Sequence, residues 1–181
     1  MASVTIFGGS EPRPGQPAYD EAFMLGRLLA TAGFTVVTGG YIGTMEAVSR
    51  GASEAGGYVI GVTCDEIEAF RSVGPNAWVQ EELRCATLRE RIHKMMQISQ
   101  AAIALPGGSG TLAEVALMWN HLYIQALSPR PLILVGEAWQ ATLNLFVRNF
   151  SAYIPETQRR LVQFAPDVAR AVDQLKQREN L

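Results

Sequence analysis

Cysteine is scarce in this 181-residue sequence, which holds only Cys64 and Cys85. The two form no CxxC pair and fit no His/Cys ligand spacing. That excludes a disulfide framework and a structural zinc site, and makes a reducing cytoplasm the expected setting. Long hydrophobic runs are also missing. No apolar stretch reaches the roughly 18 to 20 residues needed to span a bilayer, so no membrane partner is expected. Met1-Ala2-Ser3 leads directly into Val4-Thr5-Ile6-Phe7, with no basic segment or apolar leader before it, and no cleaved segment is expected. Basic charge is not in excess: 15 Lys and Arg stand against 17 Asp and Glu, a formal net charge of -2. Nucleic-acid binding needs a cationic face to displace counterions, so it is not expected, while a single bound nucleotide stays open. Repeats, low-complexity tracts and the GxxxxGK[ST] phosphate loop are absent as well.

What the sequence does have is apolar material, 48% of its residues, enough for one well-buried core in a chain too short for two ordinary domains. Short β-branched runs alternate with segments of helical spacing, the pattern of a parallel sheet covered by helices. The strands are expected at residues 4–7, 35–38, 58–62, 101–105 and 131–135, and the helices at 18–32, 44–55, 88–99, 111–126 and 138–149. Leu161 to Phe164 reads as an edge strand, Asp167 to Arg178 as a terminal helix, and Thr63 to Asn76 as an irregular linker. The expected fold is α/β, a Rossmann-like doubly wound parallel sheet flanked by helices, forming a single domain over residues 1–181. In such sheets ligands sit beyond the carboxyl ends of the strands.

Three turns at those ends are rich in glycine. The first, Gly8-Gly9-Ser10, lets a backbone approach a ligand and offers a hydroxyl; it also reads as a plain tight turn. The second, Gly39-Gly40-Tyr41-Ile42-Gly43, opens onto a helix whose first-turn carboxylate, Glu46, complements the helix dipole and would repel a phosphate placed over it. It does not match the GxGxxG dinucleotide fingerprint. The third, Pro106-Gly107-Gly108-Ser109-Gly110-Thr111, gathers glycines, hydroxyls and a helix N-terminus into a ready anion cradle. Thr111 and Glu114 at its end read equally as a T-x-x-E capping box. Upstream, Thr87-Leu88-Arg89-Glu90 is a second capping box, opening a helix in which Arg91 lies at the margin of the apolar stripe. It points along the packed face toward the sheet, where an arginine needs an anion, either a structural carboxylate or a ligand phosphate.

Taken together, these turns resemble the LONELY GUY family, also known as the possible lysine decarboxylase family, whose signature couples an arginine-bearing helix to a PGGxGTxxE turn. Here that turn is complete, from Pro106 to Glu114, and the resemblance covers roughly residues 4 to 136. It implies a nucleoside 5'-monophosphate phosphoribohydrolase that cuts the N-glycosidic bond to free base and ribose 5-phosphate. It also implies Arg91 and Glu114 as catalytic residues and Gly107, Gly108, Gly110 and Thr111 as the phosphate turn. Gly8, Gly9, Ser10, Gly39, Gly40, Gly43, Pro106 and Ser109 complete the expected binding set. No cofactor is expected, since no lysine stands where a pyridoxal Schiff base could be argued.

The segment Leu88-Arg89-Glu90-Arg91-Ile92 lacks the histidine and lysine of the family's M-H-x-R-K, and Gly43-Thr44-Met45-Glu46 replaces G-L-M-G. These departures mark a divergent branch, and similar turns occur in molybdenum-cofactor carrier proteins that share the fold. The expected activity is therefore hydrolysis of AMP or a cytokinin-type nucleotide, with a non-catalytic nucleotide or molybdenum-cofactor carrier as the alternative. His93 and His121 sit on different helices without an acidic ligand cluster, so they read as surface or packing residues and no metal is expected. The helix from Leu112 to Ile124 is apolar nearly all round, so it is either the central core helix or an oligomer face. The family resemblance implies a homodimer with this region near the contact.

Overall fold

The computed structural model describes residues 2–177. Seven strands form one sheet in the order β4-β3-β2-β1-β5-β6-β7, and every neighbouring pair is parallel. In chain order these are β1 (Ser3–Phe7), β2 (Thr35–Thr38), β3 (Val59–Cys64), β4 (Glu81–Cys85), β5 (Ala101–Ala104), β6 (Leu132–Val135) and β7 (Gln163–Ala165). The helices are α1 (Pro17–Thr31), α2 (Thr44–Glu54), α3 (Asp65–Arg71), α4 (Leu88–Gln97), α5 (Ser109–Tyr123), α6 (Glu137–Asn149), α7 (Glu156–Arg159) and α8 (Val168–Lys176). The chain winds outward from β1 to β4, then crosses back to lay β5 on the free side of β1. That reversal is the switch point at which a doubly wound sheet opens a crevice.

Alternation along the strands gives each face of the sheet its own core. Val4, Ile6, Val36, Ile103 and Ile133 pack with α1, α2 and α8. Phe7, Val37, Ala102, Leu132 and Leu134 point the other way, onto α4, α5 and α6. The α1/α2 contact rests on two glycines that admit no side chain: a Cβ on Gly26 would lie 2.1 Å from the Val48 carbonyl oxygen, and one on Gly51 would lie 2.0 Å from that of Phe23. The helices therefore meet backbone to backbone.

The expected strands and the long helices are found with ends shifted by at most a few residues, and the predicted edge strand is β7. The structure corrects three points. Residues 63–76 are not an irregular linker throughout, because β3 runs to Cys64 and α3 follows at once. The charged stretch Glu81–Cys85 is an edge strand, β4, with alternating exposure; an edge tolerates the Glu and Arg that hide it from hydropathy. Residues 156–159 form the short α7. The terminal helix is α8, capped by Asp167, whose side chain accepts the Arg170 N–H at 2.8 Å; Arg178 lies outside the described residues. No described helix is long and apolar enough to cross a membrane. The apolar helix α5 buries only one face, through Val115, Met118, Trp119 and Leu122, while Leu112, Tyr123 and Ile124 are exposed.

Candidate active site

A cleft of about 410 Å³ opens over the carboxyl ends of β1 and β5. Its polar side is built from two of the glycine turns. Gly8, Gly9 and Ser10 line it from the end of β1, and Gly108, Ser109, Gly110 and Thr111 line it from the end of β5. The turns touch each other, the Gly9 N–H donating to the Pro106 carbonyl at 3.3 Å. Thr44 anchors them to α2 through its N–H and its hydroxyl, both donating to the Gly9 carbonyl at 2.9 Å. Helix α5 begins at Ser109 with Gly108 as its N-cap and no side-chain cap. The first N–H groups of a helix have no intrahelical acceptor, so this end presents donors and a positive dipole to the cleft. A Cβ on Gly108 or Gly110 would meet nothing within 4 Å; the space in front of these residues is free for a ligand.

The capping-box alternative for Thr111 and Glu114 is not realised, because the helix starts two residues before Thr111. Glu114 instead turns inward. It is 8% exposed and lines the cleft, and its Oε1 lies 3.6 Å from Arg91 Nη1. Burial pushes the Glu114 carboxyl up to about 7, against an opposing pull from the Arg91 charge. The capping box on α4 does form: the Glu90 N–H donates to Thr87 Oγ1 and the Thr87 N–H to Glu90 Oε2, each at 3.2 Å. It sets the helix phase that sends Arg91 toward the sheet. Arg91 is 4% exposed. Its Nε donates to the Val62 carbonyl at 2.7 Å, and its guanidinium carbon lies 5.6 Å from the centre of the Tyr41 ring. The arginine thus has a carboxylate partner and a fixed direction.

The second glycine turn stands behind this pair. Gly39, Gly40 and Gly43 are buried and do not line the cleft. A Cβ on Gly39 would lie 1.7 Å from Arg91 Nη2, so the absence of a side chain there is the space the guanidinium occupies. Gly43 has a φ of 76°, and a Cβ there would lie 2.6 Å from the Gly9 carbonyl oxygen. Tyr41, which the sequence reading passed over, holds the turn against β3: its hydroxyl donates to the Cys64 carbonyl at 3.1 Å and accepts the Cys64 N–H at 2.7 Å. Asn76 closes it by donating from Nδ2 to the Gly40 and Tyr41 carbonyls, each at 2.9 Å. A tyrosine and an asparagine carry no motif signal, so only the fold brings them here. Glu46 faces away from the cleft, accepting a 2.8 Å bond from the Tyr19 hydroxyl. Burial and that carboxylate push the Tyr19 hydroxyl up to about 12.

Pro106 and Gly107 lie on the far side of the third turn, lining a second depression of about 220 Å³ with Trp139 and Thr142. His93 and His121 stack edge to face at 6.0 Å and neither lines the cleft. Among the described residues no group of three or more His, Cys, Asp or Glu side chains converges as a metal site would.

The fold and the cleft define a doubly wound α/β protein whose switch point carries an uncapped helix N-terminus beside a buried Arg–Glu pair. The chain belongs to the family described as possible lysine decarboxylase, whose model matches residues 45–175, well past the end of the motif resemblance. A probable cytokinin riboside 5'-monophosphate phosphoribohydrolase of Oryza sativa subsp. japonica is 34% identical over 180 residues, 96% of this chain and 77% of the relative. A cytokinin riboside 5'-monophosphate phosphoribohydrolase of Rhodococcoides fascians is 30% identical over 155 residues, 84% of this chain and 73% of the relative. Among solved structures, the Moco carrier protein of Chlamydomonas rheinhardtii matches with a TM-score of 0.70 and 28% identity, over 97% of this chain and 96% of that one.

Proposed function

We propose that this protein hydrolyses the N-glycosidic bond of a nucleoside 5'-monophosphate, AMP or a cytokinin-type nucleotide, to free base and ribose 5-phosphate. The observation that carries the reading is the buried Arg91–Glu114 pair, 3.6 Å apart at the floor of the cleft, beside the uncapped start of α5. The N–H groups of Ser109, Gly110 and Thr111 receive the 5'-phosphate, and Gly8 to Ser10 border it. The ribose then lies over Glu114. As the C1'–N bond breaks, its electron pair leaves with the base and positive charge develops on the sugar, which the ionised carboxylate stabilises. Water supplies the oxygen that bonds to C1' and Glu114 takes its proton; the departing base is protonated from solvent, and Glu114 returns its proton to solvent, so that the net transfer is one proton from water to the base. Arg91 stays charged, since its pKa is too high for it to act as a proton donor. It steadies the carboxylate and the charge growing on the leaving base.

The pH profile tests this division of labour. The working form of Glu114 is ionised and its carboxyl is held at about 7. The expected kcat/KM on AMP therefore falls as pH drops through about 7, about tenfold per pH unit on the acid limb. A profile flat from pH 6 to 8 removes Glu114 from the proton transfer.

A second reading, a nucleotide or molybdenum-cofactor carrier without turnover, draws on the 28% identity to the Chlamydomonas carrier protein. It predicts a ligand that co-purifies, visible by native mass spectrometry, and no base released from any nucleotide in a panel. The hydrolase reading also carries a homodimer, for which exposed Leu112 of α5 and Ile124 at its C-cap, with Leu145 and Phe146 of α6, supply an apolar face. Light scattering at micromolar concentration is expected to give twice 19.7 kDa; a mass equal to one chain counts against the dimer.

A further inference from the structure

The cleft has a roof that the mechanism above leaves unused. Helix α3 supplies it through Ile67, Phe70 and Arg71, and is tethered from behind. Arg84 of β4 binds Asp65 and Glu68, each at 2.7 Å, and Glu66 Oε2 accepts the Leu88 N–H of α4 at 2.8 Å. From this helix Arg71 reaches across the mouth of the cleft, its Nη1 donating to Ser10 Oγ at 2.8 Å. Ser10 belongs to the turn whose Gly9 touches Pro106, so the guanidinium is held on the turn that abuts the loop opening α5, and both line the same cleft.

The charges around the cleft give this contact meaning. Arg91 is buried and already faces Glu114. Glu11 sits on the lip, its Oε1 3.5 Å from Ser10 Oγ, and opposes an incoming anion. A phosphate monoester carries about two negative charges near neutral pH, and a helix N-terminus offers roughly half a positive one. Among the described residues Arg71 forms no ion pair. It is thus the cleft-lining cation whose charge no carboxylate has matched. Its bond to a neutral hydroxyl is one that a charged phosphate oxygen displaces readily, because charge-assisted bonds are the stronger.

We infer that Arg71 is the phosphate-side cation of the cleft: on binding it leaves Ser10 Oγ for the outer oxygens of the 5'-phosphate, and it sets the preference for nucleoside monophosphates over unphosphorylated nucleosides. The inference rests on the nucleotide reading above. It makes α3 a clasp that ties the roof to the ligand, with Arg71 a binding and specificity residue, one that takes no part in bond cleavage.

The test is equilibrium dialysis of AMP, adenosine and inorganic phosphate against Glu114→Gln protein, which does not consume AMP, with and without Arg71→Ala or Arg71→Lys, and steady-state kinetics of the single Arg71 variants alongside. Arg71→Ala is expected to weaken AMP and phosphate binding about 10- to 100-fold, to leave adenosine within about twofold, and to raise KM far more than it lowers kcat. Arg71→Lys restores part of the loss, since it keeps the charge but not the planar fork. Arg71 is exposed, so both variants fold, with a Tm that matches wild type. Undiminished AMP affinity on adding Arg71→Ala overturns the inference, as does an equal loss for adenosine and AMP, which marks a merely structural role for the roof. Glu114→Gln protein that binds AMP no better than adenosine, with Arg71 intact, overturns the nucleotide reading itself and the inference with it.

Discussion

Glu114→Gln protein is expected to bind nucleoside 5'-monophosphates with near wild-type affinity and to release base at least about 1,000-fold more slowly. The amide keeps the shape of the carboxyl and its place opposite Arg91, but it can neither accept a water proton nor stabilise a cationic sugar. Chromatography of free base and ribose 5-phosphate from an AMP incubation measures the loss, and residual turnover within tenfold of wild type removes Glu114 from the chemistry. The same variant is expected to gain stability at neutral and basic pH. A carboxyl held at about 7 rather than at its ordinary 4.5 favours its neutral over its charged form by about 3 kcal/mol in the folded state. Between those two values the folded protein keeps a proton that the unfolded chain has lost, so wild-type stability falls as pH rises from about 4.5 to 7 and stays low above. The glutamine variant lacks this dependence. Thermal unfolding is expected to coincide for the two proteins near pH 4 and to separate by about 5 °C or more at pH 8. Equal Tm values at pH 8 show that Glu114 is not buried at a cost.

The second large effect is expected from a methyl group. Gly39→Ala places a Cβ 1.7 Å from Arg91 Nη2 and 2.5 Å from Met45 Sδ. Gly39 is not among the glycines of positive φ, so the backbone accepts alanine and the conflict is one of space alone. The atoms in the way are ends of flexible side chains, which yield more cheaply than backbone, so the protein folds and the guanidinium moves. A displacement of about 1 Å in such a group costs on the order of 100-fold in rate, and kcat/KM is expected to fall by at least that. If the loss acts through Arg91, the double variant Gly39→Ala, Arg91→Ala is no worse than Arg91→Ala alone. Additive losses assign Gly39 a role of its own.

Most of the scaffold was legible in the sequence because its signals are local. Short β-branched runs such as Val4–Phe7, the Thr87–Glu90 capping box and the three glycine-rich turns need no knowledge of the fold to be read. The roles proposed for Arg91 and Glu114 come from resemblance alone: spacing left the arginine between a structural carboxylate and a ligand, and the glutamate between a cap and the anion cradle. The structure places Arg91 opposite Glu114 across the cleft floor. Strand β4 was missed because Glu81, Glu82 and Arg84 give an edge strand the look of a solvated loop. Tyr41, Asn76 and Arg71 were missed for a different reason. Their partners lie at Cys64, Gly40 and Ser10, pairings that exist only once the crossovers have been made.

The strand order has a bearing on how the chain is made. β1 lies between β2 and β5, and all five of its residues are buried. During synthesis its partner on one side is available from about residue 38, whereas the other side waits until residue 104 has left the ribosome. For the length of that interval the nascent chain carries an unpaired apolar edge designed for the middle of a sheet, the kind of surface that invites mispairing between neighbouring chains on a polysome. The stretch from residue 39 to residue 100, with α2 and α4 in it, is thus also an interval in synthesis during which β1 has only one of its two sheet partners.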